Sequence, residues 1–191
     1  MDKKSSAQAL RKATDFFRDG KFAEALEALK PIISEDSDNP RAFILASRAL
    51  RGSGDASGAA EIESRALSLF PDDPTVIGHA AALLNKERRY KNTMELIGGA
   101  FSRGIDDPEL YIILSNAQRA LKLNAEADKT QMNALERFGD NVRVISHWCS
   151  QLQKQNRHHE LVELLQGREA ILAKSPALKE MLETSLAAAA A

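Results

Sequence analysis

One cysteine and four histidines are the only side chains of their kind in this 191-residue chain. They limit nucleophilic, metal and acid–base chemistry to a few positions. Cys149 has no partner for a disulfide or a thiolate cluster. Its small neighbours in the pattern below mark it as a packing residue rather than a reactive thiol. His79 and His147 stand 68 residues apart, and on helices packed at about 8–10 Å they would sit roughly 20 Å from each other, too far to share a metal. His158 and His159 are adjacent, so on a helix they point in different directions. There is no Gly-rich phosphate loop, no H-E-x-x-H, no nucleophile elbow and no cysteine pair. These residues predict no catalytic site, no cofactor and no metal, hence a binding protein rather than an enzyme.

The composition agrees. Hydrophobic residues make up 43% and charged residues 28%, the balance of a folded globular chain, while aromatics at 5% favour closely packed Ala- and Leu-rich helices over a β-sandwich. A net charge of −1 gives no global reason for a nucleic-acid or anionic-membrane partner. No apolar stretch approaches the roughly 18 residues of a membrane span. The amino terminus lacks the apolar core of a signal peptide, so cytoplasmic residence is the default expectation.

A 34-residue period organises the chain. Pro40, Pro74 and Pro108 follow it, and Pro176 lies two periods on. One position earlier come Ser5, Asn39, Asp73, Asp107, Asn141 and Ser175, all residues that cap helix amino termini. Proline after the cap suits the first helical position, where its missing N–H would have had no partner. Ala13, Ser47, Ala81, Ser115 and Cys149 form a ladder of small residues at the same spacing, preceded four residues earlier by Ala9, Phe43, Ile77, Tyr111 and Ile145. Bulky and small side chains at helical spacing describe a buried stripe with a site of close helix approach. Polar breaks at Asp19–Lys21, Ser53–Asp55, Arg88–Arg89, Lys122–Asn124 and Asn156–Arg157 separate this helix from a second apolar stripe in each repeat. Trp148 reads as a core anchor.

This pattern resembles the tetratricopeptide repeat (TPR), best in Gly20-Lys21-Phe22-Ala23-Glu24-Ala25-Leu26 and in Gly54-Asp55 with Ala59. The fold class implied is all-α, a right-handed α-solenoid of about five helix–turn–helix repeats plus a carboxyl-terminal capping helix. The expected divisions are a disordered 1–4, repeats over 5–38, 39–72, 73–106, 107–140 and 141–174, and a cap with an Ala-rich tail over 175–191. The cap should bury Leu178, Met181, Leu182 and Leu186 on one face. Glu63 and Gln131 depart from the motif, standing where it is usually apolar, and the later repeats lack the turn glycine.

The resemblance implies that the first helices line a concave groove for a partner peptide or helix. Register places Arg11 and Arg18 there from the first repeat, Arg41, Arg48 and Arg51 from the second, and His79, Asn85 and Lys86 from the third. The fourth contributes Asn116 and Arg119, the fifth Arg143, His147 and Lys154. Glu109 is the one carboxylate in this register, the others falling on loops such as Asp36 and on second helices. The expected partner is therefore a protein or peptide of acidic character, and neither nucleic acid nor membrane. Arg18, Arg51, Lys86, Arg119 and Lys154 also lie near helix carboxyl ends, where a cation complements the dipole; Arg11, Arg41, Arg48 and Arg143 do not. The two-carboxylate clamp of chaperone-tail TPRs has no match in these positions. Two other readings stand beside the peptide scaffold: a substrate-recruiting segment of a larger glycosyl- or sulfotransferase-type enzyme, and a protein that self-assembles through its solenoid ends.

Overall fold

A computed structural model describes residues 3–34 and 38–189, the side chain of Lys3 apart; Asp36 lies outside the described residues. All its regular structure is helical. Five successive helix pairs are α1 (Lys3–Arg18) with α2 (Phe22–Ser34), α3 (Pro40–Gly52) with α4 (Ala56–Leu69), α5 (Pro74–Lys86) with α6 (Tyr90–Ser102), α7 (Pro108–Ala120) with α8 (Asn124–Arg137), and α9 (Val142–Lys154) with α10 (His158–Leu165). A single turn, α11 (Glu169–Leu172), and a last helix, α12 (Pro176–Ala189), follow. The chain divides into two compact units, Met1–Asp106 and Asp107–Ala191. The first holds α1 to α6 and packs α1, α3 and α5 side by side. The second holds α7 to α12 and packs α7 against α9.

The cap ladder explains the starts of α5, α7, α9 and α12. Asp73 accepts from the N–H groups of Thr75 (2.8 Å) and Val76 (3.0 Å), Asp107 from Glu109 (2.8 Å), and Asn141 from Arg143 (2.9 Å) and Val144 (3.2 Å). Ser175 Oγ lies 3.4 Å from the N–H of Leu178. Asn39 holds the cap position without a side-chain bond. At Ser5 the ladder does not mark a helix start, since α1 begins at Lys3. No proline fixes the start there, and the helix runs on past the serine.

The turn between paired helices repeats one backbone device. Residues Gly20, Gly54, Arg88, Lys122 and Asn156, each 34 apart, have φ of 73°, 88°, 60°, 63° and 55°. The residue after each returns its N–H to a carbonyl five residues back: Phe16, Leu50, Leu84, Gln118 and Leu152, at 2.8–2.9 Å. These bonds close the helix end. Only the first two repeats fill the left-handed position with glycine, the residue that adopts it without a Cβ clash.

The small ladder is the core of each repeat. Ala13, Ala81, Ser115 and Cys149 are wholly buried and Ser47 nearly so, with Phe43, Ile77 and Ile145 buried beside them. Phe43 meets Phe70 edge-on at 5.6 Å, and Tyr111 meets Phe138 likewise at 5.9 Å, the same pair 68 residues on. In the fifth pair the second helix stops at Leu165, and Gly167 (φ 76°) turns the chain into α11. The cap α12 then packs on α10 and α9, burying Leu178 and tucking Met181 and Leu182 against Trp148's cluster. Leu186, expected inside, is 47% exposed. The buried residue in its stead is Ser185, 3.2 Å from His158 Nδ1.

Replacing Lys122 by glycine should stabilise the protein, because a left-handed non-glycine residue carries strain of order 1 kcal/mol that exceeds the added chain entropy of glycine. The expected gain is about 0.5–1 kcal/mol, read as a higher urea midpoint at unchanged slope. A lower midpoint would show that the lysine side chain contributes more than its backbone strain costs.

Candidate interaction surfaces

The serines of the small ladder bring buried hydroxyls into the packing, and a buried hydroxyl needs a partner. In the first unit Ser47 Oγ donates to the Glu63 carboxylate and lies 3.3 Å from His79 Nε2. Arg51 closes on the same carboxylate with two bonds, Nε to Oε1 at 2.8 Å and Nη2 to Oε2 at 2.9 Å. Burial alone pushes the Glu63 carboxyl up, yet the bonds from Arg51 and Ser47 hold it below the usual carboxylate range. The Arg51 guanidinium is raised by the Glu63 bond, against its own burial. Glu87, at the end of α5, bridges outward, 3.5 Å from Arg51 Nη2 and 3.6 Å from Arg89 Nη1.

The second unit repeats the constellation 68 residues on. Ser115 Oγ lies 3.4 Å from His147 Nε2 and receives a bond from Gln131 Nε2, Gln131 standing in the place of Glu63. Glutamine carries no charge, so Arg119 turns to Asp128 on α8 instead, Nη2 to Oδ1 at 2.6 Å. Arg157 bonds the other oxygen of Asp128 and grips Glu160 with two bonds of 2.6 Å. Glu160 is accordingly held below its ordinary range and Arg157 above its own. The guanidinium carbons of Arg119 and Arg157 each lie 5.4 Å from the ring centroid of Trp148, which is 6% exposed. Cation–π attraction thus holds both arginines on the indole. Burial, opposed weakly by Arg168, pushes the Cys149 thiol up to about 12, so it carries no thiolate at neutral pH.

The sequence-derived groove residues divide sharply. Arg11, Arg18, Arg41, Arg48, Lys86, Asn116, Arg143 and Lys154 are exposed. Among the described residues Arg11, Arg41, Lys86 and Lys154 make no ion pair. Arg48 lies over the Phe17 ring at 5.0 Å. Arg18 reaches Asp15 only at 3.8 Å, both largely in solvent, a contact of little energy. Arg51 and Arg119 are committed to carboxylates inside their own unit, and Arg143 bonds Glu109 at 2.6 Å. His79 and His147 are half-buried against the serines rather than open. Asn85 accepts from Thr93 Oγ1 at 2.8 Å.

The expected separation of cations from carboxylates therefore needs correction. Glu63 and Asp128 are second-helix residues, but the turn folds them back onto the first-helix arginines 12 and 9 residues away. Sequence reasoning missed Glu87, Asp128 and Arg157 as members of these networks. It did single out Glu63 and Gln131 as polar residues in apolar slots, and both sit at the networks' centres.

A family model described as tetratricopeptide repeat matches residues 16–83. The TPR repeat-containing protein YpiA of Bacillus subtilis (strain 168) is 25% identical over 168 residues, 88% of this chain. The chain spans 39% of that relative's length. MamA (41-end) from Desulfovibrio magneticus RS-1 shares the fold at a TM-score of 0.61 and 17% identity, over 90% of this chain and 97% of that one. Cut9 in the APC/C Cut9–Hcn1 hetero-tetramer shares it at 0.62 and 15%, over 91% and 35%. Residues 16–83 are thus a tetratricopeptide-repeat segment, and five helix pairs at a 34-residue period carry the same all-α fold along the described chain. Among the described residues no helix is long and apolar enough to cross a membrane.

Two predictions follow from the second network. Burial, with Arg119 and Lys154 nearby, pushes the His147 imidazole down to about 4. The unfolded ring takes its proton near pH 6.5, so between these values the unfolded state holds the extra proton and acidification destabilises the fold. Unfolding measured from pH 7 to pH 4 should lose stability at no more than about 1.4 kcal/mol per pH unit from this group, and His147→Gln should flatten that slope. An unchanged slope would assign the acid sensitivity elsewhere. In turn, Asp128→Ala removes the carboxylate that holds both arginines against the indole. Trp148 is the only tryptophan, so its emission should move to the red, whereas a retained blue position would show the clamp to be self-supporting.

Proposed function

We propose that the chain is a non-catalytic protein-interaction scaffold whose first-helix face in the Met1–Asp106 unit holds an acidic segment of a partner protein. One observation carries this reading. Arg11, Arg41, Arg48 and Lys86 are exposed on α1, α3 and α5, three helices packed side by side, and form no ion pair among the described residues. Folding leaves these cations in water, so they remain available for carboxylates brought by a partner. Arg51, Arg119 and Arg143 belong instead to the protein's own electrostatics and have little charge left to offer. Cut9, which shares the fold, is solved in a hetero-tetramer with Hcn1, and an interaction role for this fold accords with the proposal.

The test uses a fluorescein-labelled decapeptide of alternating Glu and Gly, followed by anisotropy at low salt. Triple replacement Arg41→Glu, Arg48→Glu and Lys86→Glu should weaken binding at least tenfold with helicity by circular dichroism intact. The wild-type interaction should also fall steeply with salt, since exposed charges are screened over about 10 Å at 0.1 M. Equal affinity of variant and wild type overturns the reading.

A further inference from the structure

In the first unit a cavity of about 450 Å³ opens between the α3–α4 and α5–α6 pairs, within the roughly 300–1,000 Å³ span of small-ligand pockets. Its rim carries Arg51 and Arg89, and Ala80 contributes to its wall. Sixty-eight residues on, the same three positions are Arg119, Arg157 and Trp148. There the indole packs against both guanidiniums, 5.4 Å from each. The apolar wall is kept as well: Leu67, Leu84 and Leu96 of the cavity correspond to Leu135, Leu152 and Leu164, which cluster with Trp148.

The charges that hold the two arginines are conserved in role but not in position. In the second unit Asp128 joins Arg119 to Arg157. Its counterpart in the first unit is Ala60, an exposed residue of the cavity mouth, and Glu87 joins Arg51 to Arg89 from the other side. The two arginines and the leucine wall around Trp148 thus recur in the first unit, with alanine in place of the indole and Arg51 forked to Glu63. Unfilled volume forfeits contacts on every lining atom, so an occupant would be favoured. Here the aliphatic walls and both cationic edges stay in place around an opening to solvent at Ala60 and Ser64.

We infer that this cavity is a docking pocket for the tryptophan side chain of a partner polypeptide, which packs against Arg51 and Arg89 as Trp148 packs against Arg119 and Arg157. The inference rests on the scaffold reading only in taking the ligand to be a protein; it uses none of the cations assigned there to the acidic segment. Leucine walls supply the apolar burial of the ring, and the guanidinium faces supply its orientation. A buried aromatic anchor of this kind is the sort of contact that dominates interface energetics.

N-acetyl-L-tryptophanamide titrated into methyl-labelled protein should shift the methyl signals of Leu67, Leu84 and Leu96 along a saturable curve. A neutral nonapeptide with Trp at its centre should do the same, and its Trp→Ala version should not. Ala80→Trp, which fills the cavity from within, should abolish both responses and raise the urea midpoint. Should that variant fail to fold, Arg89→Ser serves in its place, with saturation expected at least fivefold higher concentration. Shifts that never saturate, or that persist undiminished in the filled variant, overturn the pocket. A response to the amide without one to the peptide overturns its assignment to a polypeptide. Arg41→Glu/Arg48→Glu/Lys86→Glu protein should still bind the amide, so failure of the acidic-segment reading and failure of this one are told apart.

Discussion

Buried serine hydroxyls at points of close helix approach set the terms for the polar chemistry of this protein. A helix pair can come close only where one side chain is small, and the 34-residue ladder supplies that residue. Alanine or cysteine there imposes no further demand. Serine does, since Ser47 and Ser115 are withdrawn from water and an unsatisfied hydroxyl costs more than a made bond gains. Glu63, Gln131, His79 and His147 are best understood as answers to that demand. Each is polar where a helix interior would otherwise be apolar, and each lies within reach of a ladder serine.

The choice between glutamate and glutamine then decides what the neighbouring arginine does. Glu63 brings a charge into a site that is only 13% exposed, and a shielded charge must be paired. Arg51 supplies the pair in a two-bond fork and is thereby consumed. Gln131 brings no charge. Arg119 Nε and Gln131 Oε1, the counterparts of the Arg51 Nε–Glu63 Oε1 bond, have no hydrogen-bond partner among the described residues. Arg119 is instead drawn to Asp128 and the face of Trp148. A single carboxylate-to-amide difference between equivalent positions redirects a guanidinium from a serine network to an aromatic clamp.

What was legible in the sequence is what local chemistry fixes. Proline at the first helical position and Asp or Asn before it define a helix start within a few residues, so α5, α7 and α9 begin where the caps predict. Ser5 fails the same rule because nothing forces the start, and Leu186 fails because a shift of one residue at α12 decides which face is buried. The left-handed turn residues Arg88 and Lys122 were legible only through their spacing from Gly20 and Gly54, whereas Asn156 is of a type that tolerates the conformation. The arginine pairings were not legible. Arg51 and Glu63 belong to different helices, and only the angle of the turn between them brings their ends together. The cavity beside Ala80 was still further from view, because its defining feature is a side chain that is not there. Its one trace in the sequence is the 68-residue correspondence of Ala80 with Trp148.

The two units thus put one inherited frame to different uses. In Asp107–Ala191 the frame is closed on itself: Trp148 fills its pocket, Asp128 ties down both arginines, and Arg143 is matched by Glu109. In Met1–Asp106 the corresponding pocket is open, and α1, α3 and α5 carry exposed cations that folding leaves without carboxylate partners among the described residues. Counting basic residues by register treats both units alike and so overstates the second. The proposed acidic-segment face and the proposed pocket both draw on charges and space that remain in the first unit after the fold has satisfied its own.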